Sequence, residues 1–386
     1  MDQDTITLQL QSWLQRPSVD RSAHTLDDLP ISIASDIGAI RQENQDRAVI
    51  LRAQVSVTKS FVVGVLCDGM GGMTDGAKCA SLAISVFLSS CIRNRSLNVK
   101  DRITNAVLEA DKAVFNHYAG SGGATLSAFV FDSDGNTGSI NVGDSRIYCQ
   151  LKSGSVTQLS VDDTIAGQLN QKEDASNFNN KLIQFVGLGQ DLEPHFIDLP
   201  DIHQIKKLLL TSDGVHYLPI PTLHSLITPN ITSLDLSKRL INVSNWCGGH
   251  DNGTVIVATE PSTIFDYSQN IVTGTIKLCD HNSDVFLIGI EKHQPIGSNI
   301  APNKNQQHAP PQSADETDKT ESIENTSDIT SHDEKPLKAS DDEAKVSKKR
   351  KSSNKKTNPN RKKIGSDEKE SSNDEPKPQL RMDFDD

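Results

Sequence analysis

The stretch CDGMGG, residues Cys67 to Gly72, closes the apolar run Phe61-Val62-Val63-Gly64-Val65-Leu66. An apolar run of this length, ended by glycines, reads as a strand covered on both faces. It ends in a single carboxylate, Asp68, with little beside it except glycine. A charge held at the tip of so apolar a strand calls for a partner.

Outward from this strand, the chain alternates β and α material. Ile31-Ser32-Ile33-Ala34 and Ala48-Val49-Ile50-Leu51 read as strands. Residues 75–90 and 101–118 read as helices, with Ala80, Ala83, Ile84, Phe87 and Leu88 in the first and Ile103, Val107, Val114 and Tyr118 in the second at helical spacing. Short strands follow at 124–131, 139–142, 146–151, 208–211 and 254–258. Turn signals such as Asp134-Gly135-Asn136 and Lys152-Ser153-Gly154 separate them. Hairpin-linked strands with helices inserted predict an α+β fold of antiparallel sheets covered by helices, not a doubly wound parallel sheet.

Five aspartates recur at strand edges, mostly beside glycine. Asp46 follows Arg41-Gln42-Glu43-Asn44-Gln45, Asp68 ends the first strand, and Asp144 sits in Asn141-Val142-Gly143-Asp144-Ser145-Arg146. Asp213 follows Leu208-Leu209-Leu210-Thr211-Ser212, and Asp251 lies in Gly248-Gly249-His250-Asp251-Asn252-Gly253. Single Asp-Gly pairs are ordinary turn chemistry. As a set, strand-end carboxylates can gather at one end of a sheet, where their repulsion needs cations. Oxygen donors without His or Cys suit Mg²⁺ or Mn²⁺, and glycine beside them leaves room for carbonyls and water to approach.

At this point the residues resemble the metal-dependent protein phosphatases of the protein phosphatase 2C type, in their bacterial branch. The matching segments are Gly38-Ala39-Ile40-Arg41 with Asn44-Gln45-Asp46, Asp68-Gly69-Met70-Gly71-Gly72, Gly123-Ala124-Thr125-Leu126, Asn141 to Arg146, Ser212-Asp213-Gly214 and Asp251-Asn252, in the family's order over roughly residues 31–260. The resemblance implies a four-layer α-β-β-α sandwich with a two-metal centre at one end. It implies a serine/threonine protein phosphatase whose substrates are phosphoproteins of a serine/threonine kinase, hydrolysed by an activated water without a phospho-enzyme. Asp68 would bridge two ions of Mg²⁺ or Mn²⁺, with the Gly69 carbonyl on one. Asp213 and Asp251 would complete the first ion's ligands. Asp46 would orient a water, Arg41 would grip the phosphate, and Asp144 with Asp213 would hold a third ion. Asn252 would support these from behind.

Two departures matter. Met70 stands where many eukaryotic members carry a His that is a proposed acid, and methionine donates no proton. Gln45 stands where Glu is common, which weakens an indirect contact to the second ion. A catalytically weak binding or scaffold protein on the same fold is the alternative reading.

The rest of the chain sets limits. Its 386 residues carry 39 basic and 51 acidic side chains, a net −12, so the whole is not a generic nucleic-acid binder. Six scattered cysteines without C-x-x-C spacing predict no zinc site and a reducing compartment, hence the cytoplasm, with the nucleus possible in a eukaryote. No run of about 18 apolar residues predicts a membrane span. Residues 1–30 read as a lead whose Ile6, Leu10, Trp13 and Leu14 form one helical face. Residues 31–260 read as the phosphatase domain and 261–298 as a short β extension that joins the sandwich or docks elsewhere. Residues 299–386 are polar and charged enough to be read as a disordered tail. Within it, residues 345–363 hold ten basic and no acidic residues, a candidate contact for nucleic acid or an acidic partner.

Overall fold

The computed structural model describes residues 5–17, 19–26, 29–70, 75–168, 181–267 and 272–288. In order, the elements are α1 (Thr5–Leu14), β1 (Arg21–Thr25), β2 (Ile31–Asp36), β3 (Arg47–Gln54), β4 (Ser60–Cys67), α2 (Gly76–Arg93) and α3 (Val99–Tyr118). Then come β5 (Leu126–Asp132), β6 (Thr137–Val142), β7 (Arg146–Leu151), β8 (Val156–Gln158), α4 (Ile165–Gln168), β9 (His195–Ile197) and β10 (Ile205–Thr211). The series ends with α5 (Asp213–His216), α6 (Ile220–Ile227), α7 (Ser233–Trp246), β11 (Gly253–Thr259), a 3₁₀ turn (Pro261–Tyr267), β12 (Thr275–Cys279) and β13 (Asp284–Ile288).

The strands form two sheets, β1-β2-β11-β10-β7-β8 and β13-β12-β3-β4-β5-β6-β9, antiparallel in every described pairing. Three cores separate four layers. Along β4, Phe61, Val63, Val65 and Cys67 face a cluster shared with α1, α2 and α3. The alternate residues Val62 and Leu66 face the other sheet, with Ile31, Ile33, Phe129, Leu208 and Ile256. A third cluster joins Leu209, Val255 and Val257 of the first sheet to Leu223, Leu236 and Leu240 of α6 and α7. Both faces of β4 are therefore covered, which is why its sequence is apolar throughout instead of alternating. Gly64 breaks the run for a steric reason. A Cβ there would sit 2.4 Å from Cζ of Phe129, its partner across the ladder.

The helix pair α2–α3 is the one marked by apolar spacing. Asn98 caps α3 by accepting from Asp101 N at 2.9 Å. The α6–α7 pair was implied only by the resemblance. Its signal is nonetheless local: Thr232 caps α7 by accepting from Asp235 N at 3.1 Å, with Leu236, Leu240 and Ile241 buried behind it.

The lead contributes more than a helix. Leu10 and Leu14 of α1 are buried on the α2 side, and β1 pairs with β2. Past residue 260, β12 pairs with β3, so this segment extends the second sheet and does not dock apart from it. One described helix, α2, is long and apolar enough to cross a bilayer by length and composition alone, a test that a buried core helix also passes. Its apolar character is used in the core, where it is buried from Gly76 to Cys91 with few exceptions. Gly71 and Gly72, the tail and its basic block lie outside the described residues.

Candidate metal centre

Antiparallel pairing brings alternate strand ends to the same edge of a sheet. Arg47 pairs with Cys67, so Asp46, just before β3, and Asp68, just after β4, share one end of the second sheet. Thr211 pairs with both Val255 and Arg146, which places Asp213, Asp251 and Asp144 at one end of the first. The charges of the other four act on Asp68. Asp68 is pushed well above the usual carboxylate range by burial and by Asp46, Asp213, Asp144 and Asp251. Sequence separation thus conceals one constellation, and the five predicted carboxylates belong to it.

Each carboxyl is held in its own way. Asp46 is 1% exposed; Ser212 Oγ donates to its Oδ2 at 2.8 Å, while its Oδ1 has no partner. Burial raises it to about 7, against hydrogen bonds from Thr254 and Ser212. Burial and the charge of Asp251 raise Asp213 to about 6, opposed by the Gly214 N–H and a hydrogen bond with Asp68. Asp213 Oδ1 is likewise buried without a partner. Asp144 rises to about 7 through burial and the charges of Asp213 and Asp162.

Arg41 stands at the half-exposed rim and pairs with Asp251. That hydrogen bond, then the charges of Asp251, Asp213 and Asp68, raise its already high pKa. Asn252 ties the loop beneath: its Oδ1 accepts from Gln45 N at 2.8 Å, and its Nδ2 donates to the carbonyls of Ile37 at 2.9 Å and Glu43 at 3.0 Å.

Among the described residues, no three His, Cys, Asp or Glu side chains have their donor atoms already gathered as around one ion. Arg41 occupies one oxygen of Asp251, and Ser212 one oxygen of Asp46. The donor set nevertheless fits hard divalent cations: it is all oxygen, it is acidic, and it holds two orphaned buried oxygens, Asp46 Oδ1 and Asp213 Oδ1.

Gly69 has a different role from open space around the charge. A Cβ there would lie 2.4 Å from the Gly76 carbonyl oxygen and 2.8 Å from that of Gln45. The glycine is needed because the end of β4 touches the start of α2 and the Asn44–Asp46 loop.

Several supporting residues were missed by sequence reasoning. Thr125, quoted above only as part of a matching segment, accepts from Asp68 N at 2.9 Å, and its hydroxyl lies 2.7 Å from Ser145 Oγ, so it links the Asp68 and Asp144 loops. Asp163, 0% exposed, accepts from Gly143 N at 2.9 Å, donates its own N–H to the Gly143 carbonyl at 3.1 Å, and meets His195 Nε2 at 2.9 Å. It clasps the turn that carries Asp144. Arg146 forks onto Asp162 on the same turn. Ser145 and Ser212 sit inside the quoted motifs, but their hydroxyls reach Thr125 and Asp46, not the aspartates beside them, so adjacency in sequence gave no signal of their partners.

Cys67 is buried, and burial pushes its thiol up. His216 is buried against Thr211 Oγ1 at 2.9 Å, and burial holds it well below the ordinary imidazole range. His250 is exposed, edge-on to Tyr217. All six cysteines are free thiols.

Residues 41–248 match the sequence model of the family described as protein phosphatase 2C. The chain belongs to the protein phosphatase 2C family. Asp251 and Asn252 lie just beyond the matched residues. The chain is 28% identical over 257 residues to the serine/threonine protein phosphatase PstP of Mycobacterium tuberculosis, across 63% of this chain and 47% of that protein. It is 25% identical over 247 residues to protein phosphatase PhpP of Streptococcus pneumoniae, across 60% of this chain and 97% of that protein. The chain thus spans about half the length of the mycobacterial relative. Among solved structures, the serine/threonine phosphatase Stp1 from Staphylococcus aureus has a TM-score of 0.52 at 20% identity, across 64% of this chain and 98% of that one, a likeness of fold.

Proposed function

We propose that this protein phosphatase 2C member is a metal-dependent serine/threonine protein phosphatase acting on phosphoproteins. The observation that carries the reading is the meeting of Asp46, Asp68, Asp144, Asp213 and Asp251 at one end of the sandwich, with Arg41 at the rim. Asp68, Asp213 and Asp251 would hold Mg²⁺ or Mn²⁺ with the Gly69 carbonyl, and Asp144 with Asp213 would take a third ion. When bound, the ions supply a nucleophile from water at neutral pH and positive charge for the phosphoryl oxygens.

The chain's own groups do the rest. Asp46, fixed by Ser212, keeps Oδ1 free to accept a hydrogen bond and so orient an attacking water. Arg41 is a planar donor already paired with one oxyanion. A substrate phosphate would compete with Asp251 for the guanidinium in bidentate fashion. Cys67, raised and buried, offers no thiolate nucleophile. The chain carries every principal carboxylate that the resemblance calls for, which supports the enzyme reading over the scaffold one. The free thiols suit a reducing compartment.

The test is hydrolysis of a phosphoserine or phosphothreonine peptide by the purified chain, with and without Mn²⁺ or Mg²⁺. Activity should require the metal. Asp68→Asn and Asp213→Asn should each lower turnover by at least about 10²-fold through loss of ligand charge. Full turnover in either variant would overturn the assignment.

A further inference from the structure

Behind the Asp46 loop, three parts of the chain meet at one guanidinium. Arg47 opens β3. Its Nη1 donates to the carbonyls of Asn44 and Asp46, both at 2.7 Å, and its Nε donates to the carbonyl of Leu14 at 2.9 Å. Leu14 is the last residue of α1, where carbonyls lack helical partners and the helix end is negative. The end of α1 is itself held. Arg16 lies 4.7 Å over the Trp13 ring, and its Nη2 reaches Asp280 Oδ2 at 2.7 Å and Ser283 Oγ. Asp280 Oδ1 in turn accepts from the N–H groups of Asn282 and Ser283, both at 2.8 Å, closing the β12–β13 turn. Leu14, Arg16, Arg47, Asp280 and His281 line a small shared cavity.

Neither α1 nor the β12–β13 hairpin lies within the residues that match the family, 41–248. We infer that Arg47 is a positioning residue for Asp46, and that α1 and the β12–β13 turn form a brace that sets Arg47. The inference rests on the reading of Asp46 given above. Ser212 fixes the Asp46 side chain from the front, while Arg47 fixes the Asn44–Gln45 and Asp46–Arg47 peptides from the back. Only a fork-shaped donor can hold three carbonyls in this arrangement; a lysine ammonium keeps the charge and loses the geometry. Groups that orient the ligands and waters of a metal site typically change its affinity by about 10–100-fold.

The experiment is calorimetric titration of the full chain with Mn²⁺, beside thermal unfolding without metal and phosphopeptide kinetics. Arg47→Lys should weaken Mn²⁺ binding by about tenfold or more and lower kcat, with KM for the peptide little changed. Arg16→Ala, which touches only the brace, should move Mn²⁺ affinity in the same direction by a smaller factor, and it keeps the test open if Arg47 variants fail to fold. Arg102→Lys is the control, since Arg102 of α3 is buried against Asp132 at the end of β5. It should lower the unfolding midpoint and leave Mn²⁺ affinity alone. Wild-type Mn²⁺ affinity in both Arg47→Lys and Arg16→Ala would overturn the inference while leaving the phosphatase reading intact. No Mn²⁺ uptake by the unaltered chain would remove both.

Discussion

At the scale of residues, the site is a set of carboxyls held against their preference. Asp46 and Asp144 are raised to about 7 and Asp213 to about 6, with Asp68 higher than its ordinary range. In the unfolded chain these groups return to ordinary carboxylate values near 4. Between roughly pH 4 and pH 7 the folded, metal-free protein therefore binds more protons than the unfolded one, and its stability falls as pH rises. Divalent ions remove the cause by neutralising the cluster. Thermal unfolding in EDTA should show a midpoint that drops from pH 5 to pH 7.5. Saturating Mn²⁺ should raise the midpoint most at the upper end. A metal-free midpoint that climbs over this range would contradict the carboxylate cluster. Arg41→Ala should mainly raise KM for a phosphopeptide, since the side chain meets solvent at the rim and supports no core contact. Unchanged kinetics would remove its assigned role.

At the scale of elements, the β4–β5 ladder carries the placement of Asp68. Its residues are buried on both faces, so its packing is set by shape as well as by apolarity. Gly64→Ala places a methyl within 2.4 Å of the Phe129 ring. Overpacking of this kind costs about 1–3 kcal/mol, visible as a lower urea midpoint. Because the atoms nearest that methyl all belong to Phe129, not to a site residue, activity per folded molecule should fall less than stability does. A variant as stable as the wild type would show that Phe129 swings aside freely. The end of α7 illustrates a cap that local sequence states openly: Thr232-Ser233-Leu234-Asp235 is a capping pattern, and the structure uses it.

At the scale of the whole molecule, every described sheet pairing and core cluster falls between residues 5 and 288. Removing residues 301–386 should therefore leave the unfolding midpoint and phosphopeptide turnover close to those of the full chain. A large loss of either would assign the tail a part in the fold. The basic block at 345–363 is proposed as a contact for nucleic acid or an acidic partner. If it is one, binding to a mixed-sequence duplex should weaken steeply with salt and vanish when the block is deleted. Binding that survives the deletion, or never appears, would discard the proposal.

Local sequence determined the identity of the carboxylates, their position at strand ends, and the apolar strands and helices α2 and α3 that carry them. These follow from period and composition, which any stretch of chain declares by itself. The entry of β1 and of β12–β13 into the sheets, and the convergence of Asp46, Asp68, Asp144, Asp213 and Asp251, depended on pairing between distant segments. Only the tertiary structure decided why Gly69 must be glycine, that Thr125 and Asp163 hold the loops carrying Asp68 and Asp144, and that Arg47 meets the end of α1. The reason is physical: a hydrogen bond between residues 33 or 57 positions apart leaves no periodic trace in either segment. It exists only once burial has brought the two backbones together.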